Sequence, residues 1–117
     1  MSTTKRLAAD GMEEYFDRFN KRFLNKTPSS GADVEITSRD LGDQVLAAGV
    51  HLIGITYDPD TQALEVALET GDHRAYRPKE VWAVEEPDGF IRAIEIVRDD
   101  DTSEIVRMRR PSAPRGD

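Results

Sequence analysis

Cysteine is absent from these 117 residues, tryptophan occurs once and histidine twice. Without thiolates, disulfides, cysteine nucleophiles and the common zinc clusters are excluded. His51 and His73 stand at the starts of two expected strands with neither H-x-H nor H-E-x-x-H spacing, so no metal centre is expected. The stretches DPDTQ and Asp99–Asp100–Asp101 lack the glycine bend and closing glutamate of a calcium loop and read as hairpin tips. Nucleophile elbows of the G-x-S-x-G kind are missing, as are the glycine-rich cradles that hold phosphates. No cofactor is therefore expected. Long apolar runs are missing too: nothing approaches the ~18 residues that a membrane-crossing helix needs. The opening MSTTKRLAADG has two cations but no apolar stretch behind them, so no secretory signal is expected and a cytoplasmic location is the default.

What the chain has is charge. One residue in three is charged, 33%, and the net charge is −7. Residues 1–26 carry six cations and four anions, residues 27–72 carry only Arg39 against nine carboxylates, and residues 73–117 carry nine cations and ten anions. An acidic middle is thus flanked by two segments rich in cations. A net-acidic body repels a phosphate backbone, which disfavours general nucleic-acid binding.

Periodicity organises the rest. Met12, Phe16, Phe19 and Phe23 recur at helical spacing and predict an amphipathic helix over residues 11–24. Asp10 with Glu13 has the spacing of a capping box, and Lys21, Arg22 and Lys26 suit the negative end of the helix dipole. Asn25–Asp33 reads as a linker, ADVEITS as a short strand, and SRDLGDQVLAAG as a brief helix ending at Gly49. From Val50 the chain reads as an antiparallel meander. Ile53, Ile55 and Tyr57 share one face, and Leu64, Val66 and Leu68 the next inward row.

These elements predict an α+β fold: an N-terminal amphipathic helix packed on a curved antiparallel sheet or small β-barrel of six or seven strands. Residues 10–110 form one domain in this reading, between disordered ends at 1–9 and 111–117.

The stretch HRAYRPKEVW is where large side chains concentrate. Arg74 and Tyr76 alternate onto one strand face, His73, Ala75 and Arg77 onto the other, and Trp82 falls on the next strand beyond Pro78. His73, Arg74, Tyr76, Arg77 and Trp82 form the candidate binding surface, because tyrosine, tryptophan and arginine are enriched at interface hot spots. Arg107, Arg109, Arg110 and Arg115 are a second place where an anion could be held. With no catalytic motif, the expected role is a non-catalytic binding or protein-interaction module, with a protein partner or a second copy. Two alternatives stand beside it. One is an enzyme or small-ligand barrel in which His51 or His73 meets a carboxylate. The other is nucleic-acid binding through the basic, aromatic strand.

The pieces YFDRF, DLGDQV and GITYD, with looser similarity continuing from Glu13 to Met108, resemble a family of small uncharacterised bacterial proteins catalogued as a domain of unknown function. That resemblance implies a free-standing single bacterial domain and carries no activity, cofactor or catalytic residue with it.

Overall fold

A computed structural model describes residues 2–24, 30–38, 42–98 and 102–109. Strand β1 (Thr3–Arg6) is followed by helix α1 (Ala9–Phe19), which runs on into a π-helical turn at Asn20–Leu24. Seven more strands follow: β2 (Ser30–Ser38), β3 (Gly42–Asp58), β4 (Ala63–Leu68), β5 (Gly71–Tyr76), β6 (Glu80–Glu85), β7 (Ile91–Val97) and β8 (Thr102–Met108). The architecture is one helix against a large antiparallel sheet, in the order β1-β6-β7-β8-β2-β3-β4-β5.

Eight strands replace the expected six or seven, and each addition has a local cause. Residues 3–6, expected to be disordered, pair with β6 from Thr3↔Glu85 to Arg6↔Trp82. Ser30–Asp33, expected to be linker, extend β2, while residues 25–29 lie outside the described set. Of the expected brief helix, residues 39–41 lie outside the described set and residues 42–49 are instead the first half of β3, which pairs with β2 from Ser38↔Gly42 to Ser30↔Leu52. Beyond Leu52, β3 changes partner and pairs with β4 as far as Asp58↔Ala63. A strand of 17 residues that serves two neighbours in succession bends the sheet.

The curl is strong, yet the sheet stays open. Only residues 77–79 separate β5 from β6, so their adjacent ends lie within about 14 Å of each other. Five strands lie between them in the ladder. The link is pinned by hydrogen bonds from the Arg77 amide to Gln62 O and from the Lys79 amide to Val97 O, both 2.7 Å. β1 and β5 remain edges, so no barrel closes.

The inner face carries the core, with Ile55, Leu64, Val66, Ile94 and Val106 fully buried, and α1 packs against β3. Ile53 departs from the expected alternation. The β3–β4 register shifts between Leu52 and Gly54, so Ile53 is the extra residue of a bulge and stays 64% exposed, while Leu52 turns inward. Asp10 does not cap α1. Extended Ala8 is the N-cap without a side-chain hydrogen bond, and Asp10 sits in the first turn, where its charge still suits the helix dipole.

Met12, Phe16 and Phe19 are buried as the stripe predicts, but the next buried position is Leu24, five residues on. The wider π turn accounts for this spacing and leaves Phe23 half-buried at the surface. Among the described residues no helix is long and apolar enough to cross a membrane.

Candidate functional site

The expected surface around HRAYRPKEVW is divided by the fold. Arg74 and Tyr76 lie on the outer face of β5, where Arg74 pairs with Glu65 and Tyr76 is 57% exposed. Arg77 is exposed in the link after β5, with a left-handed φ of 48°. Trp82 is half-buried on β6, opposite Arg6 of β1 and Glu95 of β7, and its indole N–H donates to Glu80 at 2.9 Å. His73 faces the other way, inward, beside the row that Ala75 continues. The arginines of β8 are engaged as well: Arg107 pairs with Glu35 at 3.0 Å and Arg109 with Asp33 at 3.3 Å. Arg110 and Arg115 lie outside the described residues.

His73 meets Glu104, which continues the inward row of Val106 and Met108 on β8. The contact joins the edge strand β5 to a strand four places away in the ladder, so it spans the concave side of the sheet. Glu104 is fully buried and is the one buried charged side chain among the described residues. Its Oε1 contacts His73 Nε2, while Arg98 Nη1 stands 3.6 Å from Oε2, which has no hydrogen bond. A histidine against a carboxylate is the pairing the enzyme alternative requires. Here it is part of an internal ionic cluster between strands. His51 is exposed, 3.8 Å from Glu69. Among the described residues no three histidine, aspartate or glutamate side chains gather as metal ligands would.

A further concavity lies elsewhere. A cleft of ≈500 Å³ opens where α1 and the π turn cross the β1–β6–β7 end of the sheet. Phe19, Phe23 and Ile91 give it an apolar floor. Behind them Phe90 packs against both phenylalanines, with ring centroids 5.7 Å from Phe19 and 5.3 Å from Phe23. The rim carries Lys5, Arg18, Lys21 and Arg22 against the single carboxylate Glu85. Four cations to one anion reverses the sign of the whole chain, and a low-dielectric floor concentrates that field.

The rim is ordered by pairing. Lys5 Nζ lies 2.7 Å from Glu85 Oε2 and 4.8 Å from the centre of the Tyr15 ring. The Tyr15 hydroxyl donates to the same carboxylate oxygen. Burial, then the hydrogen bond to Glu85 and its charge, holds the Tyr15 phenol well above the usual tyrosine range. Burial alone would raise the Glu85 carboxyl. Hydrogen bonds from Lys5 and Tyr15, with the charges of Lys5 and Arg18, outweigh it and hold Glu85 below the usual carboxylate range.

Lys21 pairs along the helix with Asp17 at 3.1 Å. Arg22 stacks 5.1 Å from the Phe23 ring centre and packs over Gly89. Among the described residues neither Arg18 nor Arg22 forms an ion pair or a side-chain hydrogen bond, and both guanidinium groups line the cleft. Such planar forks match carboxylate or phosphate oxygens two at a time. Sequence reasoning assigns Lys21 and Arg22 to the helix dipole and misses the cleft. The available signal was Arg18 and Arg22, four residues apart beside an aromatic stripe.

An uncharacterized protein of Aquifex aeolicus (strain VF5) is 37% identical over 112 residues, covering 95% of this chain and 96% of the relative. No solved structure matches. The model of a family of unknown function, DUF5335, matches residues 3–115, and the chain belongs to that family.

Proposed function

We propose that this protein is a non-catalytic binding module whose recognition site is the cationic cleft, and that the cleft receives an anionic group attached to an apolar one. The observation that carries this reading is the pair Arg18 and Arg22 above the floor of Phe19, Phe23 and Ile91. Guanidinium groups supply paired donors for oxygen anions, and the floor rewards apolar surface beside the anion. Glu85 pairs with Lys5 and orders the rim, and the surplus of cations around that pair is left for the ligand's charge. The volume lies within the range of ligand-binding clefts.

Titration of the isotopically labelled protein with benzoate and phenyl phosphate, against neutral benzamide, tests this. Amide shifts should cluster at residues 15–23, 85 and 89–91, weaken with added salt, and vanish in the double variant R18Q/R22Q. Equal shifts with benzamide, or shifts centred elsewhere, would overturn the reading.

A further inference from the structure

We infer that the cleft's anionic group arrives on an extended peptide, which adds as a ninth strand along the open edge of β1 and sets acidic side chains beside Lys5. This rests on the reading of the cleft given above. Among the described residues β1 ends the ladder, bonded to β6 alone, and all four of its residues are exposed. The Leu7 amide donates to Val81 O at 2.8 Å, continuing the register Lys5↔Ala83 and Thr3↔Glu85. In an antiparallel ladder, a residue's N–H and C=O point to the same side and alternate along the strand. Thr3, Lys5 and Leu7 therefore face β6, and the N–H and C=O groups of Thr4 and Arg6 point outward, ready to receive another strand.

Charge selects which strand that is. Lys5 and Arg6 are adjacent and β1 has no acid, so a second copy pairing along the same edge would set cations against cations. An acidic segment gains where a second copy loses. Side chains of an added strand alternate, so every second one lies on the face from which Lys5 reaches Tyr15 and Glu85. A carboxylate there is drawn toward the cleft, while its backbone supplies the ladder bonds. Main-chain pairing gives affinity and alternate side chains give specificity, as in other recognition by strand addition.

The test uses a labelled, end-capped heptapeptide, Glu-Thr-Glu-Thr-Glu-Thr-Glu, and the same peptide with N-methylated threonines. The two carry equal charge, but the second cannot complete the ladder. Fluorescence anisotropy should show the unmethylated peptide binding roughly tenfold more tightly, as a few edge hydrogen bonds imply. Binding should slow hydrogen exchange at the Thr4 and Arg6 amides. In Thr4→Pro, which removes one outward donor, the preference between the peptides should shrink. Equal affinity of the two peptides, with benzoate still bound in the cleft, would overturn strand addition and leave the cleft reading standing. Failure of both benzoate and peptide to bind would overturn both.

Discussion

The side-chain amide of Asn20 pairs with both main-chain groups of Ile55, its Nδ2 donating to the carbonyl at 2.7 Å and its Oδ1 accepting from the amide at 3.0 Å. Among the described residues β2 pairs with β3 no further than Leu52, and one side chain from the π turn meets the Ile55 backbone beyond that point. Asn20→Ala would leave a donor and an acceptor unpaired in a half-buried site. A loss of about 2 kcal/mol is expected in urea denaturation. Asn20→Asp keeps the acceptor but loses the donor, and should fall between the two. Exchange at the Ile55 amide should accelerate in the alanine variant and much less in the aspartate one.

Glu104 gives a second prediction. Removing the partner of a buried carboxylate costs roughly 3–5 kcal/mol, because its charge is left in an apolar surrounding. The His73 side chain keeps 21% of its exposure, so His73→Ala should fall near the lower end of that range. The double variant His73→Leu/Glu104→Leu should recover at least half of the loss, since matched apolar replacement removes the charge that needed a partner. Denaturant midpoints of the three proteins decide it. A double variant no more stable than His73→Ala would show that the cluster itself holds β5 to β8.

The Tyr15–Glu85 pair predicts both limbs of the pH–stability curve. Glu85 is held low in the folded protein, so its contribution is present above the ordinary carboxylate value and is lost as pH falls through the folded one. Tyr15 is held high, so its contribution is present below the ordinary phenol value of about 10 and is lost as pH rises beyond it. Glu85→Gln should flatten the acid limb and Tyr15→Phe the alkaline limb. Thermal melts across the pH range would separate the two effects.

Gly89 tests the rim. Its φ of +93° is one that other residues rarely adopt, and a Cβ there would stand 3.1 Å from Arg22 Nη1. Gly89→Ala should cost about 1–2 kcal/mol through backbone strain. It should also push Arg22 aside and weaken benzoate binding several-fold more than an exposed control such as Gly71→Ala does.

The parts of the fold legible in the sequence were those whose signal is local. Leu64, Val66 and Leu68 alternate inward as read, and Met12, Phe16 and Phe19 mark the helix face. Residues 42–49 misled because Leu46, Ala47 and Ala48 favour a helix, whereas their pairing with β2 depends on residues elsewhere in the chain. Gly42 stands at φ +71°, a conformation that no helix interior adopts. β1 was missed because TTKR has no apolar residue for alternation to reveal. Glu104 escaped notice because a carboxylate on a strand is ordinarily placed outward, and only the curl of the sheet brings His73 to it. The cleft was the least legible part of all. Its walls come from β1, the helix with its π turn, β6 and the start of β7, and each cation alone looks like an ordinary solvated side chain.

The widened turn at Asn20–Leu24 gears two functions to a single residue count. Phe19 and Leu24 both enter the interior across five positions, and the intervening bulge points Arg22 and Phe23 at the opening above. Deleting one residue there would restore the tighter winding and swing everything downstream by about 100°. Arg22 would leave the rim in the same stroke that Leu24 left the interior, so tight folding and the proposed anion site would be forfeited together.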